Sequence, residues 1–171
     1  MTSMAFALDP TRLAGTLAFG AAALACLRMA AVSRRSGALV WWALGGLQLA
    51  CVIEVVLGLR YGLHAAINGL LQQRGWYASR GQWQGELLVA AVALVAAAAA
   101  FVCWRRRDDG AAVAAIVGTA VGVSLLGAET VSLHRIDAVM YAQAGPLVML
   151  AWMWIAASTV VVVAGALTPR R

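Results

Sequence analysis

Lysine is absent from this chain of 171 residues, and all thirteen basic side chains are arginine. Charge of either sign is scarce. Charged residues make up 12% of the chain, against roughly 25% in a soluble domain. With 63% hydrophobic residues, the polar surface is too small to keep a soluble particle wet, so a lipid bilayer must cover most of it. The missing lysine, beside abundant Ala, Gly, Val and Leu, reads as the composition of a GC-rich bacterial genome. The expected location is therefore a bacterial inner (plasma) membrane.

Cysteine and histidine are nearly as rare. Cys26, Cys51 and Cys103 each lie inside an apolar run and no CxxC spacing occurs, which excludes a disulfide framework and a cysteine zinc site. The chain contains no glycine-rich phosphate loop, no GxSxG, no HExxH and no Cys-His pair placed for nucleophilic attack. Nothing in the sequence therefore names an enzyme class. The net charge of +6 is not a nucleic-acid signature either, because the arginines sit at the ends of apolar runs, where membrane anchors belong.

What is present is a series of five charge-free runs. Spanning a bilayer takes about 20 mostly apolar residues. The runs predict transmembrane helices near 12–32, 38–58, 86–104, 111–131 and 146–167. The fold expected is an all-α bundle of about five spanning helices forming a single transmembrane domain. Gly118 and Gly122, spaced as small-xxx-small, and the Ala96–Ala100 run suit close helix packing. Between the second and third runs, Arg60, His64, Asn68 and Gln72 recur every four residues among Leu59, Leu63, Ile67, Leu70 and Leu71. That period predicts an amphipathic interfacial helix over 59–73. The stretch from Arg74 to Gly81 reads as a turn.

Arginine position orients the bundle. If the N-terminus is outside, Arg28, Arg34, Arg35, Arg105, Arg106, Arg107, Arg170 and Arg171 fall inside, and Arg12, Arg60, Arg74, Arg80 and Arg135 fall outside. All the tight clusters are then cytoplasmic. Ala23-Leu24-Ala25-Cys26 faintly resembles a lipoprotein cleavage site. However, Asp9 precedes the first run and the basic cluster follows it, an order that favours an uncleaved helix with its N-terminus out. The inner loops look like little more than stops, whereas polar side chains with chemistry gather on the outer side.

The candidate constellation there is Glu54, Arg60, His64, Tyr77, Arg80, Glu129, His134, Arg135 and Asp137. A carboxylate in hydrocarbon must face the bundle, be neutral or pair. Arg60 stands too far along the helix for an ideal intrahelical pair with Glu54, so His134, Arg80 or Arg135 is the expected partner. Glu129, with Ser132, can close the outer end of its helix. His134, Asp137 and Tyr141 share a helical face, on which Asp137 can orient the imidazole or the face can simply meet water.

Three functional constellations follow. A b-type haem can sit between His64 and His134, with Arg60, Arg74, Arg80 or Arg135 on its propionates; Tyr77 lies in the same loop. A transition metal can take His64, His134 and carboxylates among Glu54, Glu129 and Asp137. A proton, anion or quinone site uses the same groups. The leading expectation is a membrane subunit or binding protein with a polar site at its non-cytoplasmic face. The expected partners are the lipid bilayer and other membrane subunits or a homo-oligomer, but no nucleic acid. The rivals are a haem-, metal- or quinone-linked redox protein and a small transporter acting as an oligomer.

Overall fold

The computed structural model describes residues 9–33, 35–75, 80–131 and 134–167, the side chains at 35, 36, 64, 80–82 and 134–135 excepted. In chain order the elements are α1 (Pro10–Val32), α2 (Arg35–Leu57), α3 (Leu59–Gln73), α4 (Arg80–Arg105), α5 (Gly110–Val131) and α6 (His134–Met140). A two-residue hairpin, β1 (Gln143–Ala144) and β2 (Leu147–Val148), then leads into α7 (Met149–Leu167). Five helices are long and apolar enough to cross a membrane: α1, α2 from Gly37, α4 from Trp83, α5 and α7.

Local chemistry sets the ends. Asp9 caps α1 by accepting the Thr11 N–H at 3.0 Å, and Pro10 fills the first turn, where no N–H is needed. Asp109 caps α5 in the same way, accepting the Ala112 N–H at 3.0 Å. At the end of α2, Gly58 adopts φ +62° and its N–H bonds back to the Glu54 carbonyl at 2.7 Å. A left-handed glycine ends a helix at little steric cost. The amphipathic segment is therefore a separate helix, α3, and does not continue α2. The last spanning helix begins at Met149, later than the 146 expected from hydropathy. Gln143 pairs with Val148 and Ala144 with Leu147 around a turn holding Pro146 and a left-handed Gly145.

Helices α1, α5 and α7 pack together, α2 lies along α1, and α4 lies chiefly along α5. Small residues permit the close approaches. A Cβ on Gly118 would stand 2.8 Å from the Ala157 carbonyl oxygen and 2.9 Å from Val161 Cγ2 on α7. One on Gly122 would meet Phe19 of α1 at 3.1 Å. One on Gly15 would stand 2.7 Å from the indole of Trp154. The small-residue pair of α5 is thus a packing device.

Polar contact in the core is sparse. Gln48 of α2 donates from Nε2 to Thr119 Oγ1 of α5 at 3.0 Å, and both are buried. Cys26 and Cys51 are buried free thiols, and Cys103 is half-buried and also free. Helix α4 stands apart: only 6% of its apolar window is buried against the protein, compared with 33% or more in each of the other four.

Candidate functional site

One end of the bundle gathers the start of α1, the end of α2, α3, the end of α5, the hairpin and the start of α7. Its centre is Arg60. The break at Gly58 turns the chain so that the second residue of α3 points back over the end of α2. Arg60 donates its backbone N–H to Glu54 Oε1 at 3.1 Å and its Nη1 to the same oxygen at 3.1 Å. Its Nη2 lies 2.8 Å from Glu129 Oε1 on α5. The two side chains of that second pair are 4% and 3% exposed, so the guanidinium meets Glu129 away from water, while Glu54 on its other side is 21% exposed.

Tyrosines complete the shell. Tyr141 donates to Glu129 Oε1 at 2.6 Å, and Tyr61 donates to it at 3.4 Å while accepting from Arg60 Nη2 at 3.2 Å. The Tyr61 ring is near two cations, with the Arg60 guanidinium 4.7 Å and that of Arg12 5.8 Å from its centre. Burial works against the Arg60 charge, but Glu129, the Tyr61 hydroxyl and Glu54 outweigh it, so its pKa is raised above the ordinary value. The Tyr141 phenol is also raised, by burial first and then by its hydrogen bond to Glu129.

A cavity of about 300 Å³ opens over this cluster, walled by residues of α1, α3, α5, the hairpin and α7, among them Arg12, Arg60, Glu129, Tyr141 and Trp154. Three of its wall residues carry a buried polar atom with no hydrogen-bond partner among the described residues: Arg60 Nε, Glu129 Oε2 and Trp154 Nε1. An unmade hydrogen bond at a buried group costs about 1–3 kcal/mol, more for a charged one. No protein family, curated protein or solved structure compared with this chain matches it. Function must therefore be argued from the geometry alone.

The expectations for individual residues divide. Arg60, Glu54 and Glu129 come together. The partner of Glu54 is a correction: Arg60 itself takes that place, because α2 ends at Gly58 and the helical spacing no longer applies. His64 falls on α3, His134 and Arg135 on α6, and Arg80 opens α4, but their side chains lie outside the described residues, as do Tyr77 and Ser132 entirely. Asp137 is on α6 and does not line the cavity. Tyr141 does reach Glu129.

Three contributors escape the sequence reading: Tyr61, Trp154 and the Arg12 side chain. Nothing in sequence separates Trp154, 1% exposed, from Trp152, whose indole donates at 2.8 Å to the Ala144 carbonyl on the exposed side. The opposite end of the bundle is also richer than its loops imply. A cavity of about 900 Å³ lies there, with Trp41 and Val163 in its wall and Arg106, Asp108 and Asp109 at its polar side.

Proposed function

We propose that this chain is a small multi-pass protein of a bacterial inner membrane, a binding protein or membrane subunit. Its N-terminus lies outside and its C-terminus inside. The site is the cavity over Arg60 and Glu129 at the non-cytoplasmic face. Two arguments support the membrane placement. Arg105, Arg106 and Arg107 stand at the other end of the bundle. Helix α4, the most apolar of the five, leaves nearly all its sides bare, which hydrocarbon solvates and water does not. The observation that carries the binding reading is a cavity of about 300 Å³ walled by the charged and aromatic side chains of Arg12, Arg60, Tyr61, Glu129 and Tyr141 at one end of the bundle.

The test has two parts. Reporter fusions at residues 70 and 140 should both read as non-cytoplasmic; a cytoplasmic signal at either overturns the orientation. The purified protein in detergent should then be heated with ethanolamine, inorganic phosphate, acetate and ethanolamine phosphate in turn. At least one should raise its melting temperature, and that shift should disappear in Glu129→Gln. No shift with any of them removes the case for a binding cavity.

The redox reading keeps one observation in its favour. His64 belongs to α3 and His134 to α6, helices at this same end of the bundle. An absorption spectrum decides between the two. A Soret band that disappears in His64→Ala or His134→Ala favours haem, and a colourless, metal-free protein ends that reading.

A further inference from the structure

Helix α4 carries a pattern on the side that the bundle leaves bare. Its packed side, with Leu88, Ala99, Val102 and Cys103, meets the bundle chiefly at α5. The opposite side holds Leu87, Ala90, Leu94, Ala97, Phe101 and Trp104, all exposed, at alternating spacings of three and four residues. That alternation sets them in one line along the helix. Leu87, Leu94 and Phe101 recur every seven residues on it, each at least 55% exposed, with alanine between them. Ala91 and Ala98 flank the line on one side and Ala93 and Ala100 on the other, and all four are exposed. Three large side chains thus rise from a bed of alanine.

Hydrocarbon is as apolar as leucine, so lipid sets no repeat on a helix that faces it. A facing helix does. Large side chains at every seventh position enter holes on the partner, and alanines let the two backbones close in. From Leu87 to Trp104 the line runs about 26 Å at ~1.5 Å per residue, close to the hydrocarbon thickness of about 30 Å. No charged residue falls within it, so closing it strands no ion.

We propose that this face of α4 docks a second copy of the chain, in parallel, about a two-fold axis along the membrane normal. Copies that share one orientation present the same line in the same sense. The two-fold axis sets each residue of the line beside its own counterpart, so the surface is its own complement. Ala90 and Ala97 form the layers of close approach, and Leu87, Leu94 and Phe101 pack over the flanking alanines. The pairing does not involve the cavity at Arg60; it rests on the membrane placement and on a single orientation of the chain.

Disulfide crosslinking of the full chain in native membranes tests it. Leu87→Cys, Leu94→Cys, Ala97→Cys and Phe101→Cys lie on the line, whereas Val89→Cys and Ala96→Cys are equally exposed but off it. Wild type sets the baseline, since Cys26 and Cys51 are buried and Cys103 is on the packed side. On oxidation, the four variants on the line should give a dimer band, and the two off it should give no more than wild type. A parallel pair requires reaction at both Leu87→Cys and Phe101→Cys. Reaction confined to Leu94→Cys and Ala97→Cys means inverted copies, which overturns the parallel pair and the single orientation together. Equal reaction on and off the line, or none at all, overturns the pair and leaves the orientation to the reporter fusions. Subunit counting by photobleaching in dilute liposomes gives a reading that needs no added cysteine. Wild type and Ala96→Trp should show two copies per particle and Ala97→Trp one, because overpacking at Ala97 blocks the close approach. Both sites are exposed, so neither tryptophan disturbs packing within one copy. Single copies of wild type, or the same count for both variants, overturn the proposal.

Discussion

Arg60 and Glu129 meet at 2.8 Å although they belong to different helices, and this pair fastens α3 to the bundle. Most of α3 beyond Arg60 is exposed, including Leu63, Ile67 and Leu70. Removing the guanidinium leaves the buried Glu129 carboxylate without its cation, and breaking a buried pair in this way costs about 3–5 kcal/mol. Arg60→Ala should therefore lower the thermal stability of the detergent-solubilised protein sharply. Arg60→Lys should recover only part of the loss, because a single ammonium cannot reproduce the forked contacts to both carboxylates. Full recovery by lysine would mean that charge alone holds the helix.

The Glu54 contact separates charge from hydrogen bonding. Its Oε1 accepts both the backbone N–H and the Nη1 of Arg60. Glutamine keeps an oxygen acceptor at that place and leucine does not. Glu54→Gln should accordingly retain more stability than Glu54→Leu in a detergent melting assay. Equal melting temperatures would show that Oε1 does not anchor the start of α3.

The pair also shows what sequence reading can and cannot reach. Five apolar runs are visible because a spanning helix needs an uninterrupted stretch, and a charged residue, arginine or glutamate, ends each one. The amphipathic α3 is visible because its polar residues keep a four-residue beat. The Glu54–Arg60 contact is hidden because the two residues are not neighbours on a continuous helix. Only the αL turn at Gly58 brings them together. A glycine beside the end of an apolar run was the available signal. Gln48 offered another, since a lone amide deep in an apolar run asks for a partner on a facing helix. Which helix supplies that partner, here Thr119 of α5, depends on helix rotation that the hydropathy pattern does not encode.

Gly58 itself should be intolerant of substitution for two separable reasons. Its φ of +62° disfavours any side chain by about 1–2 kcal/mol, and a Cβ would stand 2.9 Å from Tyr61 Cδ2. Asparagine eases the first penalty but not the second. Gly58→Ala and Gly58→Asn should both lower stability, alanine more. Both should also weaken any ligand that depends on the Tyr61 ring. Gly75, left-handed at φ +70° with no atom of the described residues within 4 Å of where its Cβ would lie, is the control for backbone strain alone.

The Tyr141 phenol gives a pH prediction with a definite sign. Burial and the hydrogen bond to Glu129 raise its pKa above the ordinary tyrosine value of about 10. A group whose folded pKa is raised contributes stability that is complete below its unfolded pKa and is lost as pH climbs towards the folded one. Stability should therefore be insensitive to Tyr141 around neutrality and fall above about pH 10. In a spectrophotometric titration, the folded protein should show less tyrosinate near that pH than the unfolded chain. Tyr141→Phe should remove the difference. No difference between wild type and Tyr141→Phe would place the Tyr141 hydroxyl in water.

Two glycines of α5 test whether close packing, and not helix propensity, holds the bundle together. Gly118 faces Ala157 and Val161, and an added Cβ would stand 2.8 Å from a backbone carbonyl oxygen that no rotamer change can move. Gly127, on the same helix, has no atom of the described residues within 4 Å of the Cβ position. Alanine raises intrinsic helix propensity by nearly 1 kcal/mol at either site. Overpacking typically costs about 1–3 kcal/mol. Gly118→Ala should therefore destabilise the protein and loosen α5 from α7, whereas Gly127→Ala should be neutral or slightly stabilising. Matched melting curves of the two variants in one detergent provide the check. If both mutations stabilise, α5 and α7 do not approach each other closely at Gly118. That result would also displace Trp154, which stands on the same α7 as Ala157, from the wall of the cavity that Arg60 and Glu129 define.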